Sequence, residues 1–434
     1  MILTLDLGTT RTKAVVWDEG TAVAAGDAHV TTVHPAPGRA EQDANRWWPS
    51  VVEACAHARA AAPGAFARVD AVAFSAARQT FVPVAADGTP LGPAVVWSDR
   101  RGGGTVAGKL AWLEEHEPER MGAARWALAP RDLMLWRLTG TVVTDATLAS
   151  AAGPHPLQPP AVEAATVVGP VLPGPASEVG VPASTVVIAG AGDRQCEVLG
   201  TAACTARPMV SWGTTANVSF PVLSAEERPP LVRTRAAIDG WLLEGGLAAA
   251  GSLLAWVGSL TGLGAAALAD VAATSPPGAR GVTCLPWLGG ARAPWWRDTA
   301  GAGFLGLSAA HTAADLARAV FEAVAFDALR CIEAFEAPVE ALALAAGAAL
   351  SPWAEVMTAV AGVEGVVRAS PEAASVGALL VAAHALGRPL GVDACNPVVA
   401  VVAPDPGLIS RYAELRAVSD AAIAAALPLA EVAG

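Results

Sequence analysis

An apolar strand, a glycine–threonine turn and a second apolar strand open this chain, and the same pattern returns in its second half. Ile2-Leu3-Thr4-Leu5-Asp6 and Lys13-Ala14-Val15-Val16-Trp17 flank Gly8-Thr9-Thr10-Arg11. Met209-Val210-Ser211-Trp212 and Ala216-Asn217-Val218-Ser219-Phe220 flank Gly213-Thr214-Thr215. Short apolar runs bounded by turn residues read as hairpins. A turn glycine lets the backbone approach a phosphate closely, and successive N–H groups there cradle an anion. The bland alternative for either turn alone is an ordinary β-hairpin. Its repetition at the head of each half predicts two related α/β halves, each opening on a phosphate hairpin.

Length agrees with that division, because 434 residues exceed what one hydrophobic core usually serves. The proline-rich stretch 153–184 reads as loops, and the apolar run Val186-Val187-Ile188-Ala189 follows it. The expected domains are therefore 1–184 and 185–434, with residues 410–434 left free to pack back on the first.

Composition excludes several classes. Hydrophobic residues reach 53%, but much of that is alanine, and no stretch has the uninterrupted apolar length of a spanning helix. A formal net charge of −12 with no basic block argues against a nucleic-acid partner. Cys55, Cys196, Cys204, Cys284, Cys331 and Cys395 are scattered without a CxxC pair, which reads as reduced thiols, not a disulfide or zinc framework. No signal-peptide pattern precedes the first strand. The expectation is a cytoplasmic protein with a small-molecule substrate, no membrane partner, and room for a homodimer.

Several residues can carry chemistry. Asp6, at the end of the first strand, suits a magnesium ion held through its water shell; the alternative is that it hydrogen-bonds the turn. Thr9 and Thr10 add donors, and Arg11 and Lys13 supply positive charge against a polyphosphate. Gly190-Ala191-Gly192-Asp193 places an aspartate at a strand-to-helix turn. There it can accept a proton from an attacking hydroxyl, which is most of what phosphoryl transfer asks of a protein side chain. An N-cap role is the alternative. Arg78 and Gln79, after the strand at 70–74, suit a polyhydroxylated ligand, or form a polar loop with a surface arginine. Asp99 and Arg100, after Trp97, are a site edge or an exposed ion pair. Glycine turns before helices at Gly251 and at Gly347, with Ser351 nearby, can accommodate a nucleoside or simply allow tight packing.

Taken together, these segments resemble the FGGY family of carbohydrate kinases along nearly the whole chain. LDLGTTRTKAVVWD (5–18) is similar to the family's first phosphate motif, and DGTPLGPAVVWSDRR (87–101) to the stretch leading to its substrate cleft. PRDLMLWRLTG (130–140) resembles the segment behind that cleft. AGAGDRQCEVLG (189–200) resembles the catalytic-aspartate motif and SWGTT (211–215) the second phosphate motif. The run 285–330 places Pro286, Gly289-Gly290, Arg292, Pro294 and His311 in family order.

The resemblance implies two ribonuclease-H-like, actin-like ATPase domains of α/β type with the active site in the cleft between them. It implies ATP and Mg2+ as cofactors and phosphorylation of a sugar, polyol or sugar acid. Asp193 would be the general base and Asp6 would organise the metal. Gly8, Thr9, Thr10, Arg11 and Lys13 would face the phosphates, supported by Gly213 and Thr214. Gly251, Gly347 and Ser351 would line the nucleotide pocket, and Arg78, Gln79, Trp97 and Asp193 would contact the acceptor. Two departures stand out. Ala345-Ala346-Gly347-Ala348 replaces a Gly-Gly-Gly-Ala turn, and Arg78-Gln79-Thr80 has glutamine where glycerol kinases carry an acid. An actin-like ATPase and a non-catalytic sugar sensor are the alternatives, distinguished by whether ADP release needs an acceptor.

Overall fold

The computed structural model describes residues 1–433, with side-chain surroundings through Pro428. The chain forms two compact units. The first comprises Met1–Gly200, Thr234–Asp239 and Glu372–Pro397, and the second comprises Thr201–Arg233, Gly240–Pro371 and the segment from Val398 onward.

In the first unit the N-terminal hairpin seeds a mixed sheet of β1 (Ile2–Leu7), β2 (Arg11–Asp18), β3 (Thr21–His29), β4 (Ala71–Ala76), β5 (Val167–Pro170), β6 (Val186–Ile188) and β7 (Ala191–Gly192). Their order is β5-β6-β4-β1-β2-β3, with β7 also on β4. β1 and β2 are antiparallel, whereas β4 runs parallel to β1 and is joined in parallel by β6 and β7. All six residues of β4 are buried, as expected for a parallel strand covered on both faces. Alternation along β1 sorts its side chains. Leu3, Leu5 and Leu7 meet Val51, Ala54 and Leu135, from helices Trp47–Ala61 and Pro130–Thr139. Ile2 faces the opposite side with Val376 and Leu379 of helix Ala373–Ala385.

The second unit repeats this plan with β8 (Met209–Trp212), β9 (Ala216–Val222), β10 (Trp241–Leu247), β11 (Ala341–Ala346), β12 (Glu364–Arg368) and β13 (Val398–Val402). These run in the order β10-β9-β8-β11-β12-β13. Again the hairpin strands are antiparallel, a third strand extends the hairpin, and the first strand pairs in parallel with a distant one, here β11. The 21-residue helix Ala313–Glu333 is the central helix of this unit's core and begins with a capping box between Thr312 and Asp315. The internal repeat read from the two turns is thus a repeat of strand order, of the ribonuclease-H type.

The division of the chain differs from the expected one. Val186–Ile188 and Ala191–Gly192 belong to the first sheet, because both pair in parallel with β4, so Asp193 lies in the first unit. The C-terminal helix Pro406–Ala433 belongs to the second unit, packing on Trp353–Ala361 and Thr283–Leu285. The late segment that joins the first unit is instead Glu372–Pro397, whose apolar helix fills the face of β1 and β4 that Ile2 and Ala73 present. Among the described residues no single helix is long and apolar enough to cross a membrane.

Candidate active site

Register places the chemistry of the first unit. Asp6, one residue before the end of β1, sits opposite Lys13 on β2 and Ser75 on β4. Burial pushes its carboxyl up to about 6; the Ser75 hydroxyl and Lys13 oppose that rise, while the charges of Asp193 and Glu372 add to it. Lys13 Nζ is paired with Glu372 Oε2, at the start of the late helix that returns to this unit. Arg11, two residues earlier on the same face of β2, leans toward the edge strand β3 and pairs with Asp27 at 2.7 Å, both half-exposed. The two cations predicted for phosphate therefore start from different positions: Lys13 beside Asp6, Arg11 drawn toward Asp27 on β3.

The turn itself is held from behind. Gly8 N–H donates to Arg11 O at 3.0 Å, closing the hairpin. Gln42 Nε2 donates to Thr9 O at 2.6 Å, while Trp47 Nε1 donates to Gln42 Oε1 at 2.9 Å. Thr12 and Ser50 hydroxyls share a 2.7 Å bond. Thr10 remains exposed at the tip. Gln42 was not legible as a site residue, because its partner lies on a turn more than thirty residues earlier, and Trp47 reaches that turn through Gln42.

Asp193 begins the helix Asp193–Gly200 directly after β7, at the carboxyl end of the parallel strands. Ligands in open α/β sheets bind outside that end. Its side chain is 47% exposed, and Oδ1 accepts the amide of Arg194 at 2.7 Å. Arg78 Nε stands 3.9 Å from the same oxygen, an ion pair longer than a hydrogen bond. The loop entering Asp193 is anchored by Arg131, whose Nη1 donates to Ala189 O and Gly190 O at 3.1 Å each. Gly192 N–H donates to Thr147 Oγ1 at 2.8 Å. Sequence reading placed 130–140 behind the site but assigned no role to Arg131 or Thr147.

Of the predicted acceptor residues, the structure gathers Arg78, Asp193 and, beside the hairpin, Trp97. Trp97 Nε1 donates to Thr9 Oγ1 at 2.9 Å, tying the loop at 96–97 to the Gly8-Thr9-Thr10 turn. Gln79 is half-buried with φ of 58°. Asp99 and Arg100 were expected as a site edge or an exposed ion pair, and the exposed pair is corrected. Asp99 is buried and bonds to Arg101, with Arg101 Nε at 2.9 Å and Nη2 at 2.7 Å, and accepts Ala40 N–H at 2.8 Å. Arg100 is exposed. One position decides the outcome, because only the Arg101 side chain reaches back over the turn.

In the second unit the four predicted glycine-turn residues converge. Gly251 N–H donates to Gly213 O at 3.0 Å, and Ala250 and Ser252 amides donate to Thr214 O at 3.1 and 3.0 Å. A side chain at Gly251 would bring Cβ to 2.7 Å from Gly213 O, and one at Gly347 to 2.6 Å from Trp212 O. Both positions need glycine for close backbone approach. The turn that replaced two glycines with alanines carries a cost: Ala346 has φ 50° and ψ −132°. Ser351 is exposed just ahead of helix Trp353–Ala361.

The first unit's donor set suits magnesium. That ion keeps most of its water shell and is anchored through one or two carboxylates. Asp6 Oδ1 is buried without a hydrogen-bond partner, which leaves it free for a metal-bound water. Asp193 lies near enough for its charge to be felt at Asp6.

Similarity to known proteins bears on the family and the fold. Residues 209–386 match the C-terminal domain of the FGGY family of carbohydrate kinases, and residues 1–107 and 103–158 match its N-terminal domain. A glycerol kinase of Gloeobacter violaceus is 33% identical over 399 residues, covering 77% of each chain. The xylulose kinase of Escherichia coli (strain K12) is 29% identical over 418 residues, covering 83% of this chain and 85% of its own. The crystal structure of xylulose kinase from Rhodospirillum rubrum superposes with a TM-score of 0.85 at 28% identity, covering 99% of each chain. Ligand-bound xylulose kinase from Lactobacillus acidophilus reaches 0.89 over 98% of each chain, and at 22% identity it speaks for the fold alone. With both domain types matched in order over most of its length, the chain belongs to the FGGY family of carbohydrate kinases and is a phosphotransferase of that family.

Proposed function

We propose that the chain transfers the γ-phosphoryl group of ATP to a hydroxyl of a small polyol, sugar or sugar acid, with Asp193 as the general base. The observation that carries this reading is the placement of Asp193. It is a half-exposed carboxylate at the carboxyl end of β7, beside Arg78 and within electrostatic reach of Asp6. Because the Arg78 contact is longer than a hydrogen bond, the carboxylate keeps lone pairs for an incoming hydroxyl.

Asp193 takes the proton of the acceptor hydroxyl as that oxygen forms its bond to the γ-phosphorus. The bond from phosphorus to the β–γ bridging oxygen breaks, and ADP departs with the electron pair. Arg78 orients the acceptor next to the base, with Gln79 and Trp97 lining the same edge. Asp6 would hold Mg2+ through water, and that ion supplies charge neutralisation on the β- and γ-phosphates. Amides at the tip of that turn, those of Thr9 and Thr10, with Lys13 nearby, act as phosphate donors, while Gly8 keeps the hairpin closed. On the second unit, the Gly213-Thr214 turn, with Gly251 and Gly347 packed against its backbone, would bind nucleotide. Relatives named xylulose kinase and glycerol kinase support a small polyhydroxylated acceptor.

Asp193→Asn is the test. Acceptor-dependent ADP formation should fall about a thousandfold or more while ATP binding persists. Measuring ADP release from the wild type against glycerol, tetritols, ketopentoses and aldonates identifies the acceptor. Release that is independent of any acceptor would favour an ATPase instead.

A further inference from the structure

Lys109 lies on helix Val106–His116, and its side chain is fully buried. An ammonium taken out of water is costly unless its donors are met. Here Nζ donates to three backbone carbonyls, those of Val96 at 2.9 Å, Trp97 at 3.1 Å and Gln79 at 3.4 Å. Three carbonyls match the three protons of the group. They come from two separate loops, one carrying Arg78 and Gln79 and the other carrying Trp97.

Gln79 has positive φ, a conformation that a non-glycine residue keeps only where its surroundings impose it, and Lys109 holds the carbonyl of that residue. A second tie runs parallel to the first, since Trp97 N–H donates to Thr80 Oγ1 at 3.0 Å. We infer that Lys109, seconded by Thr80, is a positioning residue. Its buried ammonium locks the two acceptor-recognition loops into one edge and thereby sets acceptor affinity without touching either substrate. This rests on the acceptor role given above to Arg78, Gln79 and Trp97.

Lys109→Met tests it with two readouts. Hydrogen exchange at the amides of Phe81, Val95 and Trp97 should quicken about tenfold or more, with β1 and β4 exchanging as in the wild type. The KM for the acceptor should rise about tenfold or more while the KM for ATP stays within about twofold. A folded variant with unaltered loop exchange, an unaltered acceptor KM, or both KM values raised together overturns the inference. If the wild type forms no ADP with any acceptor, the kinase reading fails, and the exchange result still decides whether Lys109 is the tie. Should Lys109→Met not fold, Thr80→Val cuts the parallel tie at the cost of one hydrogen bond. It should raise the acceptor KM about fivefold and leave that for ATP unchanged, and an unchanged acceptor KM overturns the inference.

Discussion

Arg131 Nη2 donates to Asp145 Oδ2 at 2.7 Å, and neither side chain is accessible to solvent. The same guanidinium bonds Asp132 and the carbonyls that lead into Asp193, while Asp145 caps the helix that begins at Ala146 by accepting from Thr147 N–H. Thr147 in turn accepts the amide of Gly192. Burial works against the charge on Arg131, yet Asp145 and Asp132 keep its pKa above the ordinary arginine value. One network thus supports both the fold and the loop that carries Asp193.

Removing one member of a buried ion pair leaves the other charge uncompensated, which costs about 3–5 kcal/mol. Arg131→Met should lower the melting temperature by roughly 10 °C in a circular-dichroism melt. Turnover of the folded fraction should fall further than ATP affinity, because the loop before Asp193 loses its anchor. A melting temperature within about 2 °C of wild type would remove the network from the stability account.

Asp99 is a second buried acid whose partner is read with a definite sign. Burial raises its pKa, but Arg101 and the amides of Ala40 and Arg101 outweigh that and hold it below the ordinary carboxylate value of 3.8. A depressed folded-state pKa gives stability that is present above the unfolded value and is lost as pH falls through the folded one. Asp99→Asn should therefore cost about 2–3 kcal/mol near neutral pH and progressively less in acid below about pH 4. Urea denaturation at several pH values checks this, and a cost that grows in acid would contradict it.

What the sequence made legible was local. The strand–Gly-Thr-Thr–strand hairpins and the strand-to-helix aspartate at 193 each declare themselves within a dozen residues, so turn chemistry and short-range pattern suffice. Lys109 and Arg131 did not, because a buried cation is defined by its acceptors, and beyond the neighbouring Asp132 those of Arg131 sit at 144, 145, 189 and 190. Read alone, Lys109 looks like a helical surface lysine. The Lys13–Glu372 pair joins residues 359 apart, beyond any local signal. The domain boundary was misplaced for the same reason. β6 and β7 look like the start of something new until their parallel pairing with β4 is seen.

Asp6, proposed above to hold Mg2+, sits where a charge is unfavourable in the ligand-free protein. Its buried carboxylate carries an unpartnered oxygen, and burial has already raised its pKa to about 6. Asp6→Asn keeps the shape and removes the charge. The ligand-free protein should gain roughly 1–2 kcal/mol, while turnover falls by about a hundredfold or more and ADP formation loses its saturable dependence on Mg2+. Thermal melts in the presence of EDTA isolate the first effect from the second. A destabilised Asp6→Asn would mean that the carboxylate is structural.

Ala346 offers the converse case, strain with no evident return. Its φ of 50° and ψ of −132° lie where a Cβ is penalised, at a cost of about 1–3 kcal/mol. The methyl group is exposed, so deleting it forfeits no packing. Glycine loosens the unfolded chain, which offsets about 0.4–1 kcal/mol of the relief. Ala346→Gly should therefore stabilise the protein by about 1 kcal/mol and raise the melting temperature by about 2–4 °C. Because β11 pairs in register with β8 up to Trp212, beside the Gly213 turn, the relaxed backbone should keep Gly347 against the Trp212 carbonyl. ATP affinity, read by isothermal titration, should then be unchanged or tighter. A lower melting temperature would mean that the alanine restrains this turn more than it strains it.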